Sequence, residues 1–308
     1  MAKMDKILIT GASGLVGSAL LPRLKELGFE INILSRKKKE SAYGQVYEWD
    51  VESGSIENGA FDGVNIVIHL AGAAVADKKW TSLRKKEILE SRTESTALLR
   101  RKIKDKGIYL KSFVSASAIG YYGFDTGDNL CNENSEKGNG FLADVVDAWE
   151  GEIFELSDYA ERVVALRIGM VLSEHGGALP KLSMPFKLGV GSPIGSGKQY
   201  MSWIHLDDLV EMFLTSVEKK SFNGIYNAVA PTAHTNRAFS KVLAKTLSRP
   251  FFLPPVPAFM LKLILGEMSS IVLGGNKVSA QRIIDDGYVF KYGDLTDALI
   301  KCLVTSAR

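Results

Sequence analysis

Lys6-Ile-Leu-Ile-Thr10, followed directly by Gly11-Ala-Ser-Gly14-Leu-Val-Gly17, decides the architecture. The first five residues have the length and apolar character of a buried strand, and the stretch from Gly17 to about Leu27 reads as a helix. Three glycines in isolation describe an ordinary tight turn. Placed between a buried strand and a helix, they form the dinucleotide fingerprint. The glycines permit the turn, let the backbone approach a pyrophosphate and allow close helix–sheet packing. The helix N-terminus offers free N–H groups and partial positive charge to the phosphates. Gly11, Ser13, Gly14, Leu15, Val16 and Gly17 are therefore candidate cofactor contacts.

Outward from this turn the pattern alternates. Strands are expected at Glu30 to Leu34, Gln45 to Trp49, Asn65 to Leu70, Lys111 to Ser115 and Arg162 to Ile168, with helices at Thr81 to Lys104 and Leu142 to Leu156. A polar loop is expected up to about Asn139. Such alternation predicts an α/β fold, a Rossmann-like doubly wound parallel sheet with right-handed crossovers. After Ile168 the glycines and prolines become denser, which suggests a dinucleotide-binding domain over residues 1–168 and a smaller C-terminal substrate subdomain over 169–308, with some later elements free to return to the sheet.

Composition narrows the class. The 308 residues carry 38 Lys+Arg against 35 Asp+Glu, a net charge of +3, which gives no support for a nucleic-acid binder. No apolar run reaches the ~20 residues needed to span a bilayer, and Met1 to Ile9 is strand-like, without a signal-peptide pattern. Two cysteines, Cys131 and Cys302, make no disulfide framework and suit a reducing compartment. A soluble, cytoplasmic protein is expected, with a small-molecule substrate, no nucleic-acid or membrane partner and at most a second copy of itself.

The end of the second strand bears on the cofactor. An NAD site usually places an acid there for the ribose 2′-hydroxyl. This chain has Ser35-Arg36 and then three lysines. A guanidinium suits a 2′-phosphate, and Ser35 adds a hydroxyl, so NADP(H) is the expected cofactor; the alternative is a solvated basic turn. Asp50 ends the third strand where an adenine edge would lie, although many strands end in Asp. Leu70, Ala71 and Gly72 end the fourth strand with small residues that leave room for ribose and pyrophosphate. His69 reads as a core histidine.

Taken together, Gly11 to Gly17, His69-Leu-Ala-Gly72, Phe113-Val-Ser-Ala-Ser117 and Trp203-Ile-His-Leu-Asp-Asp208 resemble the extended short-chain dehydrogenase/reductases, the NAD(P)-dependent sugar epimerase/dehydratase superfamily. Ile88-x-x-Ser91-Arg92, Tyr121-Tyr122, Trp149-Glu150, Gly195 to Asp208 and the segment from Leu265-Gly-Glu through Gly287-Tyr288 resemble its "epimerase family protein" subgroup. The resemblance implies that Glu87 and Arg92 approach the cofactor, that Ser115 belongs to its site and that Met170 and Val171 sit near the nicotinamide. An exposed helix pair is the alternative for Glu87 and Arg92.

The same resemblance exposes a departure. Superfamily enzymes use a Ser or Thr, a Tyr and a Lys four residues beyond the Tyr, the Lys lowering the phenol pKa from ~10 toward working pH. Ser117 matches the serine. Aligning Glu150 with the later acid of that helix puts Leu142 at the Tyr place and Val146 at the Lys place, and neither can move a proton. Tyr121 and Tyr122 are the remaining phenols near this edge, either as substitutes alongside Ser117 or as pocket lining. The four histidines lack metal-ligand spacing, and no metal is expected. The expectation is an NADP(H)-binding oxidoreductase or epimerase-type enzyme, with a non-catalytic NADPH-binding regulator or scaffold as the rival.

Overall fold

The computed structural model describes residues 5–304, so the first four residues of the strand-like N-terminus lie outside it. The chain runs β1 (Lys6–Thr10), α1 (Leu15–Glu26), β2 (Glu30–Ser35), β3 (Gln45–Asp50), β4 (Ser55–Ile56), β5 (Ile66–His69), α2 (Ser82–Asp105), β6 (Ser112–Ala118), β7 (Asp125–Cys131), α3 (Phe141–Phe154) and β8 (Val163–Ile168). It continues through β9 (Met170–Leu172), α4 (Leu179–Lys187), β10 (Tyr200–Met201), β11 (Trp203–His205), α5 (Leu206–Glu218), β12 (Gly224–Ala228), β13 (His234–Thr235) and α6 (Asn236–Thr246). The last elements are α7 (Ala258–Leu265), α8 (Ser270–Leu273), β14 (Gly275–Val278), α9 (Gln281–Asp285) and α10 (Leu295–Leu303).

Eight strands form the main sheet in the order β12-β8-β6-β5-β1-β2-β3-β4. All neighbours are parallel except β3 and β4. The inner strands are apolar and buried along their length, as strands covered on both faces must be: Ile7, Leu8, Ile9, Val67 and Ile68 are fully buried. From β1 the chain winds one way to β2 and β3, then returns to the other side of β1 as β5. With right-handed crossovers this reversal puts successive helices on opposite faces, α1 packing on α5 and α2 on α3. It also opens a crevice at the carboxyl ends of β1 and β5, where ligands bind in such sheets.

After Ile168 the residues divide between two cores. β11, α5, the turn after it and β12 join the main core through Ile204, Leu209, Phe213, Phe222 and Tyr226, and β12 pairs with β8. A second cluster gathers Leu179, Phe186, Trp203, Phe239, Leu243 and Leu299 from α4, β11, α6 and α10.

One expectation fails. The stretch read as a polar loop up to Asn139 contains β7, which pairs in parallel with β14 near the C-terminus. Its sequence, Asp125-Thr-Gly-Asp-Asn-Leu-Cys131, is poor in strand formers, and the pairing is imposed from a distance. Gly274 and Gly275 permit it, because a Cβ there would lie 2.1 Å from the Phe124 carbonyl oxygen and 1.9 Å from that of Tyr200.

Candidate functional site

The glycine turn is held by its own packing at two positions and left open at the third. Gly11 has φ +69°, and a Cβ on it would lie 2.6 Å from the Leu70 carbonyl carbon. On Gly17 a Cβ would lie 2.4 Å from Gly11 O. At Gly14, by contrast, φ is −77° and a Cβ would meet only Gly11 O, at 3.2 Å. Apart from that one backbone oxygen the space beside Gly14 is clear of protein, at the N-cap of a helix that no side chain caps. Such a terminus presents unpaired N–H groups to an anion. Ser13 is exposed at this turn, while Leu15 and Val16 are half-buried, with Leu15 beneath Gly176 and Gly177.

The opposite wall is fixed by a hydrogen-bonded chain. Leu70 N and Ala71 N both donate to Thr10 Oγ1, at 3.1 Å each, which sends the Thr10 proton to His69 Nδ1 at 2.8 Å. His69 Nε2 then carries the ring proton and donates to Ser95 Oγ at 3.1 Å, and Ser95 donates to Ser91 O at 2.8 Å. Burial lowers the His69 pKa to about 3. The imidazole is a neutral spacer that positions Leu70 and Ala71. Ser115, its neighbour on β6, is fully buried and donates to the Ala116 carbonyl.

One strand over, β2 ends in Ser35, followed by Arg36, which is exposed. Lys38 is paired with Glu57 at 2.6 Å, whereas Arg36 forms no ion pair or hydrogen bond among the described residues. Asp50 is exposed at the end of β3 and closes its own turn by accepting from Glu52 N at 2.9 Å; hydrogen bonds from Ser53 and Glu52 lower its pKa.

On α2, whose first turn is capped by Thr81 accepting from Arg84 N, the two residues singled out diverge. Glu87 is exposed and holds Arg84 at 2.6 Å; Arg84 in turn binds Asp77 and the Ala74 carbonyl, tying the segment after Gly72 to the helix. Arg92 points inward. It stacks on Trp149, 5.2 Å from the ring centroid, donates to Ile88 O at 2.9 Å and lies against Gly72. Burial, with the Arg84 charge second, brings its pKa down to about 10, so it stays cationic at neutral pH without a carboxylate partner.

Arg92 also borders a cavity of about 820 Å³ whose wall includes Ala118, Ile119, Leu142, Val146 and Met170. Leu142 and Val146, the positions of the absent Tyr and Lys, do face this space. Ser117 is absent from the wall and only 3% exposed. Its hydroxyl donates to Glu150 Oε1 at 2.6 Å, and Glu150 is paired with Arg167 through contacts of 2.9 and 2.7 Å. Arg167 Nη1 donates to the Tyr122 hydroxyl at 3.1 Å, and Tyr122 donates to Asn227 Oδ1 at 2.7 Å. Burial pushes the Tyr122 phenol up to about 12. The Tyr121 ring lies 3.5 Å from the Arg167 guanidinium and edge-on to Tyr122. Val171 is half-buried against the main core, while Met170 reaches the cavity.

Sequence reading did not pick out Arg167, whose signal was a lone charge inside an apolar strand. Nor did it find Gly274-Gly275-Asn276, where paired glycines marked a close backbone approach. Among the described residues no cluster of His, Cys, Asp or Glu could hold a metal, and no helix is long and apolar enough to cross a membrane.

Comparison with known proteins places this geometry. The NAD dependent epimerase/dehydratase family model matches residues 7–145, and a domain of unknown function, DUF1731, matches residues 256–301. An epimerase family protein of Staphylococcus epidermidis is 33% identical over 298 residues, covering 96% of this chain and 98% of the relative. The chain belongs to the epimerase family. Among solved structures, this epimerase family protein is similar to human epimerase family protein SDR39U1 (isoform 2), crystallised with NADPH: TM-score 0.86, 31% identity, 96% of this chain and 98% of that one. It is also similar to a nucleoside-diphosphate sugar epimerase of Corynebacterium glutamicum, with TM-score 0.79 and 30% identity, covering 98% of this chain and 58% of the other.

Proposed function

We propose that this epimerase family protein binds NADP(H) in the β1–β5 crevice and acts as an oxidoreductase on a small molecule held in the adjoining cavity. The observation that carries the reading is the pairing of open space at Gly14 with an unpaired Arg36 at the end of β2. Gly14 and the first-turn N–H groups of α1 would receive the pyrophosphate, and Arg36 with Ser35 the 2′-phosphate. Leu70, Ala71 and Gly72 leave room for ribose, and Arg92 offers a cation packed against Gly72. The NADPH in the human relative supports the same choice. When bound, NADP(H) supplies a hydride donor or acceptor.

What the chain's own residues contribute is orientation and exclusion of water. The cavity wall nearest β6 and α3 is Ala118, Ile119, Leu142 and Val146, which hold and move no proton. That one observation favours the second reading, a non-catalytic NADPH-binding regulator or scaffold. A cytoplasmic location suits the two free cysteines, Cys131 and Cys302.

Calorimetric titration of wild type and Arg36→Ala with NADPH and with NADH tests the assignment. A charge-assisted hydrogen bond contributes roughly 1.5–3 kcal/mol, so NADPH should bind about ten- to a hundredfold more tightly than NADH, and Arg36→Ala should erase the difference. Equal affinities in wild type would remove it.

A further inference from the structure

The cavity is large enough for a drug-sized molecule, within the roughly 300–1,000 Å³ of ordinary ligand sites. The side-chain donors of its most buried polar wall residues, however, are already committed to the protein. Gln199 Nε2 donates to the carbonyls of Ile194 and Val272, both at 3.0 Å. Asn276 Nδ2 donates to Ile119 O and Gly123 O, both at 3.2 Å. Ser202 donates to Asn276 O at 2.7 Å while accepting from Val278 N. Asn236 accepts from Ile194 N at 2.7 Å and donates to the Met201 sulfur. At the rim, Lys85 is paired with Glu267 at 2.5 Å and Tyr200 donates to Asp128.

These bonds hold β14 and the 194–202 segment in place, so breaking one to bind a ligand would leave a protein polar group without its partner. A sugar ring carries a hydroxyl on nearly every carbon, and each needs a partner when it leaves water. The wall instead offers Trp80, Phe141, Leu142, Val146, Met170 and Ile271, with Trp80 edge-on to Phe141 at 5.0 Å. The unpaired cation, Arg92, sits at the Gly72 side, where the dinucleotide reading already places a cofactor.

We propose that the cavity takes a predominantly hydrocarbon ligand, aromatic or isoprenoid in bulk, and not a nucleotide sugar. This deepens the NADP(H) reading and rests on it only for the position of the cofactor beside the cavity.

The test is fluorescence titration of the NADPH-loaded protein with N-phenyl-1-naphthylamine, a neutral two-ring probe, with and without millimolar UDP-glucose. One probe is expected to bind per chain, and UDP-glucose should not displace it. Leu142→Trp, which fills the space, should weaken the probe at least tenfold and leave NADPH affinity unchanged. Val146→Asn, which adds a free amide to the wall, should weaken it as well and serves where Leu142→Trp does not fold. Leu263→Ser, at an exposed apolar position on α7 (83% exposed), should change nothing. Displacement by UDP-glucose, or probe binding that survives both cavity variants or is lost in Leu263→Ser, overturns the proposal. So does NADPH binding without any probe binding. Loss of NADPH binding with the probe site intact would sink the cofactor reading alone.

Discussion

Ser117 Oγ lies 2.6 Å from Glu150 Oε1, donating to a carboxylate that is itself clamped by Arg167. The serine that aligns with a catalytic hydroxyl is thereby joined to a buried ion pair, with Arg167 1% exposed and Glu150 5%. Breaking such a pair from one side leaves an uncompensated buried charge. Glu150→Ala should therefore cost about 3–5 kcal/mol, and Ser117→Ala, which leaves the ion pair intact, about 1–2 kcal/mol. Urea unfolding midpoints give both numbers. An unaltered midpoint in Ser117→Ala, together with lost turnover, would return that hydroxyl to the chemistry.

The three glycines of the turn should fail in different ways. Gly17→Val drives a side chain into Gly11 O and should unfold or strongly destabilise the protein. Gly14→Ala and Gly14→Val should fold, because a Cβ there meets only the Gly11 carbonyl oxygen at 3.2 Å and a small shift relieves it, yet lose NADPH binding as the side chain fills the ligand's space. Circular dichroism beside NADPH titration separates the two effects. A folded Gly14→Val with undiminished affinity would place the dinucleotide elsewhere.

His69 sets an acid limit. Its pKa is about 3 when folded against an ordinary 6.5, so above pH 6.5 it is neutral in both states and stability does not depend on it. Between pH 6.5 and 3 the unfolded chain takes up a proton that the folded chain refuses, and stability falls by about 1.4 kcal/mol per pH unit. His69→Gln should be less stable at pH 7 but show a flatter decline over that window. Parallel acid limbs for the two proteins would contradict the neutral-spacer role.

Nucleotide sugars offered with NADPH should give no turnover above background. General acid–base help is typically 10²–10⁴-fold, and the wall at Leu142 and Val146 supplies none. Following NADPH absorbance in wild type, Tyr121→Phe and Tyr122→Phe checks this. Robust activity that falls in Tyr121→Phe alone would assign a working phenol to Tyr121.

Legibility in the sequence tracked locality. The strand–glycine–helix junction, the capped start of α2 at Thr81 and the strands flanking His69 and Arg167 are set by neighbours within a few turns of chain, and they appear within a residue or two of where the pattern put them. The pairing of β7 with β14 left no mark in β7 itself, because its strand character comes from distant glycines and not from its own side chains. The site divides in the same way. The turn at Gly11 to Gly17 is a local motif. The direction in which Ser117 points is decided by Glu150 and Arg167, from two other elements, and no spacing along β6 reveals it.

The late arrival of β14 also sets an order of events at the ribosome. Residues 5–72, with the glycine turn and its opposing wall, leave the exit tunnel before the cavity-lining segments, and earlier parts of a chain generally fold ahead of later ones. The segment from Ser270 to Asn276, which supplies part of the cavity wall, is synthesised after Leu142, Val146 and Met170. A growing chain can therefore carry the glycine turn while Leu142, Val146 and Met170 still lack that part of their cover. Until β14 emerges and pairs with β7, that part of the apolar wall stays open to water.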